Sequence, residues 1–471
     1  MAHFDSTAMH DWIDKNWENS VQPSLEEYIR IPAQSPAFDA DWDATGDLDA
    51  SIEHLTAWLA TLNLTGVSQE VYKLPNRTPL LLVKIEGSAP GEVLCYSHLD
   101  KQPPLTDLWS EGLHPFEPVR RGDFLYGRGS VDDGYGNYLC ALAVAGLQAA
   151  GIPHPTIRLL IETCEESGSP DLPAYLDHLT DSLGQPDLIT VVDSGAGDYQ
   201  RLWITESLRG LVSGTLRVAV SREGVHSGLS GGIIPETFRI ARGQLEKLED
   251  SVTGVVLLDA LKVEISDSLR RRAGRIADVL GDTVWTEFPF LEGVSPQVTD
   301  PVEVILNGNW RPCVAIVGVD GIPSIANAGN VLRPFTELKV SVRIPPGVDA
   351  GAATAALKEC LESEPPHGVQ VTFSPDMGAD GFSAAPLDGT LGDALHDSAI
   401  ALHGHAPMPM FEGGTIPFLA MMQQKYPAAR FLVTGSMGPD GNAHGPDEKL
   451  HIPASKKLGA CLAAAIAAIG E

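Results

Sequence analysis

The sequence predicts an α/β protein interrupted by an inserted α+β unit, and two observations carry that prediction. Residues 91–197 alternate short apolar runs with helical stretches, the order of a sheet flanked by helices, and a texture of half-apolar strands replaces it near Arg209. Taken in order, Trp12, Ile13, Trp17, Leu25, Tyr28 and Ile29 keep near-helical spacing broken at Pro23, so two helices open the chain. The runs 93–96, 158–161 and 188–192 read as buried strands, with a helix over 138–149 between the first two. In the insertion, Val212, Leu216, Val218 and Val220 share one strand face, and Leu338, Val340, Val342 and Ile344 another. A helix over 350–361 then precedes a strand over 369–373. These patterns place the insertion at 207–385 and assign 1–206 and 386–471 to one discontinuous α/β domain; the segment 250–335 carries no readable period.

Composition limits the partners. The 471 residues include 62 acidic and 32 basic side chains, a formal net charge of −30, with 43 % hydrophobic and 20 % charged residues. That balance is ordinary for a globular chain of two or three domains. The charge repels phosphate backbones and anionic lipid, and no Lys/Arg run offsets it, so nucleic acid is not an expected partner. The first residues lack an apolar targeting core, and the Ala-rich stretch 458–469 is too short to span a bilayer, so it reads as a closing packing helix and no membrane association is expected. Cysteines at 95, 140, 164, 313, 360 and 461 show no CxxC spacing, which disfavours a zinc ribbon or a disulfide framework and points to a reduced, cytoplasmic protein.

Chemistry concentrates where apolar runs end. VLCYSHLD carries His98 and Asp100, YGRGSVDDG carries Asp132 and Asp133, LIETCEESGS carries Glu165 and Glu166, and ITVVDSG carries Asp193. Side chains at the carboxyl ends of strands converge in an open α/β sheet, and GNAHG adds His444 from a Gly-rich loop. Taken singly, His98 reads as a rim histidine, Glu165-Glu166 as a solvated turn and Asp193 as a helix cap. Together they read differently, because Asp132, Glu166 and Asp193 gathered in a crevice stay ionised only around bound cations.

At this density of motifs the chain resembles the M20 family of dinuclear metallopeptidases, on the branch of cytosolic nonspecific dipeptidases and carnosinases. The matches are SHLD, GRGSVDDG, EESGS, VVDSG and NAHGPDE, joined by LRG at 208–210, GVHSG at 224–228, SVRIPPG at 341–347 and EGGTIP at 412–417, in family order over 91–450. The resemblance implies a mixed-sheet catalytic domain of the zinc-exopeptidase type with an inserted lid and dimerisation domain. It implies two divalent metal ions per subunit, Zn²⁺ first and Mn²⁺ or Co²⁺ as alternatives, with Asp132 bridging, His98 and Asp193 on one ion, and Glu166 and His444 on the other. Glu165 would be the general base toward a water shared by the ions, and Asp100 would orient the His98 imidazole. His226 would stabilise the oxyanion from the partner subunit of a homodimer, and Arg343 would clamp the substrate carboxylate. Asn330, Gly414 and Thr415 fall at substrate-contact positions, where the branch more often has Thr and Ser at the first and last, and Lys101 stands where small or apolar residues are usual. Asp133 reads as a cap or surface acid.

The implied reaction is hydrolysis of dipeptides or other short peptides. A rival within the same chemistry is an N-acyl-amino-acid amidohydrolase, and a rival outside it is a catalytically silent member that binds a small molecule. A third is a serine hydrolase, since Gly228-Leu229-Ser230-Gly231-Gly232 satisfies GxSxG; that elbow should follow a strand and open a helix, and the strand expected here ends near Val220. HExxH, Walker A and the Rossmann glycine pattern are absent from the sequence.

Overall fold

The computed structural model describes residues 4–471. The chain forms two compact units: the first runs to Glu206 and resumes over Ala384–Met410 and Met421–Glu471, and the second comprises Ser207–Ser383 and Phe411–Ala420. The sequence assigns all of 386–471 to the first unit, whereas 411–420 belongs with the second. Arg209 explains this: its backbone N–H donates to Glu412 O, its Nε donates to Gly413 O, and its carbonyl accepts from Thr415 Oγ1. Hydrogen bonds to a single distant residue leave no hydrophobic period to read.

The strands of the two main sheets are, in chain order, β1 (Val67–Tyr72), β2 (Leu80–Ile85), β3 (Glu92–His98), β4 (Thr156–Glu162), β5 (Leu188–Val191), β6 (Gly210–Ala219), β7 (Cys313–Asp320), β8 (Phe335–Ile344), β9 (Gln370–Ala379) and β10 (Arg430–Val433). The helices used below are α1 (Ser6–Asn16), α2 (Gln22–Arg30), α3 (Asp47–Thr61), α4 (Tyr135–Ala149), α5 (Thr237–Leu245), α6 (Ala350–Glu362), α7 (Gly389–His403) and α8 (Ile452–Ile469).

In the first unit the sheet order is β1-β2-β4-β3-β5-β10. β1, β2 and β4 pair antiparallel, while β4, β3, β5 and β10 pair parallel, so the sheet is mixed. β3 and β5 are buried almost throughout, which is why their apolar runs do not alternate. One core joins β2, β3 and β4 to α1, α3, α4, α7 and α8. α4 and α8 approach closely because Gly459 carries no side chain; a Cβ there would stand 2.7 Å from Leu139 Cδ1. The opening helices are not separated at Pro23. A wide turn, Trp17–Val21, carries α1 into α2, and Pro23 falls in the first turn of α2, where a missing N–H leaves no bond unmade. α8 begins six residues before the expected stretch; its 18 residues are long and apolar enough to cross a membrane, yet 78 % of them are buried within the fold.

In the second unit the sheet order is β7-β8-β6-β9, antiparallel throughout. β8 alternates buried and partly buried residues along its whole length, the pattern of a strand with one covered face, and α5 and α6 join its core through Ile240, Ala353 and Leu357. The segment without a readable period holds helices Asp267–Leu280 and Pro301–Asn309 and the edge strand β7.

Candidate metal centre

Parallel pairing in the first unit sets His98 opposite Glu162 and Tyr96 opposite Val191, so β3, β4 and β5 end at one edge of the sheet. His98 is the last residue of β3, Asp193 follows β5 by two, and Glu165-Glu166 form the turn after β4. Asp132 comes from the turn that leads into α4, and His444 from the loop between β10 and α8.

These residues form two groups sharing one carboxylate. His98 Nε2 stands 3.4 Å from Asp132 Oδ1 and 3.5 Å from Asp193 Oδ2. His444 Nε2 stands 3.0 Å from Asp132 Oδ2 and 3.3 Å from Glu166 Oε2. Asp132 thus turns one oxygen to each histidine, and within each group the nearest ligand atoms all lie within 4.8 Å of one another. His98 is fully buried, whereas the His444 side chain is 59 % exposed.

The electrostatics are those of a cation site. Burial opposes charge on Asp132, but His444 and His98 outweigh it and hold the carboxyl well below its usual range. Burial and the Asp132 charge push Glu166 up to about 7 and raise Asp193. Burial works against protonation of both imidazoles, yet the surrounding carboxylates push His444 up to about 11 and His98 well above its ordinary value. A divalent cation in each group would supply the positive charge that these acids draw. The donor set fits such ions: each group offers one imidazole nitrogen and carboxylate oxygens, and His98 Nε2 and Glu166 Oε1 are buried without a hydrogen bond.

Glu165 belongs to neither group, although burial, followed by Glu166, Asp193 and Asp100 acting against His98, raises its carboxyl well above the usual range. Asp100 faces the His98 imidazole nitrogen Nδ1 with both its main chain and its side chain. β3 ends at His98, so Asp100 no longer continues the strand face; the imidazole Nδ1 donates to the Asp100 backbone carbonyl at 3.1 Å, and the carboxylate stands 3.5 Å away. That carboxylate accepts the backbone N–H groups of Glu165 at 3.1 Å and Glu166 at 3.0 Å, fixing the double-Glu turn. Asp133 is neither a cap nor a surface acid: it is fully buried, and neither carboxyl oxygen has a hydrogen bond. Lys101 is also buried and donates to the carbonyls of Tyr28, Ile29 and Ile31 at the end of α2; burial pulls its ammonium down to about 7, with the Glu448 charge working against it.

Several contributors escaped the sequence. Gln102 Nε2 donates to Glu166 Oε2 at 2.6 Å, and Asn137 Nδ2 donates to the His98 carbonyl at 2.7 Å. They sit two and three residues beyond a quoted motif, and proximity to the motif was their one available signal.

The remaining predicted residues lie in the second unit. His226 is exposed on a two-residue strand, and its Nδ1 accepts the Gly228 N–H at 3.1 Å. The next N–H, on Ser227, donates to the Asn330 carbonyl at 2.8 Å. Arg343 Nη1 donates to Thr415 Oγ1 at 2.9 Å, with Gly414 beside Thr415 in the returning segment. Ser230 does follow a strand, Val225–His226, but it closes the short helix Ser227–Ser230 rather than opening one, and its hydroxyl donates to the His226 carbonyl. That geometry provides no base for a nucleophile.

The model of the peptidase family M20/M25/M40 matches residues 94–468. The chain is 26 % identical over 373 residues to a cysteinylglycine-S-conjugate dipeptidase of Corynebacterium striatum, covering 77 % of this chain and 78 % of that protein. It is 24 % identical over 387 residues to a β-Ala-His dipeptidase of Mus musculus, covering 79 % and 76 %. Among solved structures, the dipeptidase Dug1p of Saccharomyces cerevisiae superposes with a TM-score of 0.77 at 20 % identity over 99 % of each chain. Human carnosine dipeptidase 1 gives 0.75 at 21 % over 99 % and 98 %.

Proposed function

The chain belongs to the peptidase family M20/M25/M40, and on that premise we propose that it is a metallopeptidase that hydrolyses dipeptides at the centre built by His98, Asp132, Glu166, Asp193 and His444. The observation that carries this reading is the Asp132 carboxylate, with one oxygen toward each histidine. His98 and Asp193 would hold one divalent ion, Glu166 and His444 a second, and Asp132 both, with Zn²⁺ favoured and Mn²⁺ or Co²⁺ compatible with the same ligands. The chemistry such ions supply when bound is polarisation of a carbonyl and acidification of water.

The protein's own groups do the rest. Glu165 takes the proton of the attacking water on its carboxylate and delivers it to the leaving amine, a task suited to a carboxyl whose proton affinity is raised by burial. His226 donates to the oxyanion that develops on the scissile carbonyl, contributed by the partner subunit of a homodimer. Arg343 pairs with the substrate carboxylate, with Asn330, Gly414 and Thr415 contacting substrate. In this reading the first unit is catalytic and the second is the lid and dimerisation domain. An uncovered edge strand supports the dimer: β7 exposes Ile316, Val317 and Val319, an apolar edge that a second copy would cover. Six free cysteines support a reducing, cytoplasmic setting. The dipeptidases named above match about three quarters of the chain, which favours peptide over N-acyl-amino-acid hydrolysis.

The test is turnover of metal-stripped protein reconstituted with Zn²⁺, Mn²⁺ or Co²⁺ on free dipeptides and their N-acylated amino-acid counterparts. Cleavage of the free dipeptides is expected; cleavage confined to the acylated set moves the protein to the amidohydrolases, and silence on both supports a binding role. Full activity from a strict monomer would remove the cross-subunit role of His226.

A further inference from the structure

Two motif residues have no role so far, Arg128 of GRGSVDDG and Glu448 of NAHGPDE. Their side chains are 1 % and 0 % exposed, and Arg128 Nη1 donates to Glu448 Oε2 at 2.7 Å. A buried ion pair of this kind is a weak source of stability, because desolvation offsets most of the attraction. Its remaining bonds are directed at the metal centre. Glu448 Oε2 also accepts the Gly129 N–H at 3.0 Å, and Oε1 accepts those of Val131 at 3.1 Å and Asp132 at 3.3 Å. Arg128 Nη2 donates to the Gly445 carbonyl at 2.8 Å, immediately after His444, and its Nε donates to the Pro103 carbonyl at 3.1 Å. The turn can sit this low because Gly129 has φ +77° and no side chain; a Cβ there would stand 2.7 Å from Lys101 Cε.

We propose that Arg128 and Glu448 are positioning residues of the metal centre, one buried pair that clamps the backbone presenting Asp132 to the loop presenting His444. The proposal rests on the metal-centre reading above and extends it to residues that touch neither ion nor substrate. The clamp sets the spacing of Asp132 Oδ2 and His444 Nε2, so the ion shared by Asp132, Glu166 and His444 depends on it more than the ion shared by Asp132, Asp193 and His98.

Glu448→Gln keeps the shape of the side chain but turns an N–H donor toward backbone N–H groups. Arg128→Lys keeps the charge and leaves the three backbone bonds to Glu448, while removing the planar fork that reaches Gly445 and Pro103. The metal-stripped full chain is titrated calorimetrically with Zn²⁺ alone, beside thermal unfolding of the same samples. Wild type is expected to take two ions. Each variant is expected to bind one of them about 10–100-fold more weakly and the other unchanged. Combined with His444→Ala, neither variant should add a further loss, since both act on the same ion. Arg128→Lys carries the test if Glu448→Gln does not fold. Variants that take both ions as wild type does, or lose both equally with their thermal stability, overturn the clamp. Wild type that takes no ion overturns the metal centre itself, and the clamp with it.

Discussion

Asp100 Oδ2 accepts the backbone N–H of Glu166 at 3.0 Å, so the residue two places after one predicted ligand holds the main chain of another. Its Oδ1 does the same for Glu165, so one carboxylate holds the backbone of both glutamates. Asp100→Asn keeps one good acceptor and Asp100→Ala keeps none. The expected order of kcat/KM is wild type, Asn, Ala, with the Ala variant down about 100-fold and its metal content reduced. Equal rates for all three, with full metal occupancy, would show that the turn holds itself.

Asp132 faces both histidines, whereas the other two carboxylates, Asp193 and Glu166, face one each. Asp132→Ala should therefore release both ions, and His444→Ala one of them, as read by metal content after gel filtration in trace Zn²⁺. Retention of one tight ion by Asp132→Ala would argue against a shared carboxylate. Chelator should abolish turnover in wild type and added metal restore it.

The meeting of His98, Glu166 and Asp193 was legible because acidic and imidazole side chains end apolar runs and parallel strands end together, whereas Asp132 and His444, from a turn and a loop, were placed with them by the family resemblance. What the sequence hides is where a strand stops. Asp100 follows His98 at the spacing that keeps one strand face, but pairing gives out at His98, and the carboxylate stays 3.5 Å from the imidazole while accepting from the neighbouring loop. Asp133 carries charge, so the sequence reads it as a cap or surface acid, while the fold buries it, and Lys101 with it. Their burial depends on contacts with α2 and the turn before α4 that lie outside any local pattern. The return of 411–420 to the second unit was hidden for the same reason.

Glu162 closes β4 beside His98 without joining the ligands, and its carboxyl accepts from Tyr96, from Ser169 Oγ at 2.9 Å and from Cys164 Sγ at 3.2 Å. Burial pushes it up to about 7 from 4.5, against those three donors. Between these values the folded protein keeps a proton that the unfolded chain has lost, so Glu162 contributes stability that is fully present below pH 4.5 and is lost as pH rises through 7. The whole shift is worth about 3 kcal/mol. Glu162→Gln should gain stability relative to wild type on going from pH 5 to pH 8, by up to that amount, in urea unfolding at both values. A constant difference at the two pH values would mean that the carboxyl is ionised throughout.

Thr415 Oγ1 accepts from Arg343 Nη1 at 2.9 Å and donates to the Arg209 carbonyl at 2.6 Å, so the guanidinium is held by a hydroxyl that is itself held by backbone. Arg343 is half-buried beside Arg209; burial and that like charge both work against its own. A substrate carboxylate would relieve the repulsion, which is the physical case for a clamp at this position. Arg343→Met removes the charge, and a hydrogen bond to a charged partner is worth about 1.5–3 kcal/mol, so KM for free dipeptides should rise about 10–100-fold. The same dipeptides amidated at the C-terminus carry no carboxylate, and their KM should not change. Thr415→Val leaves the guanidinium charged but untethered, so it should raise KM for the free peptides by less than Arg343→Met does. If the amidated and free peptides lost equally in Arg343→Met, the guanidinium would be holding the fold of the second unit rather than the substrate.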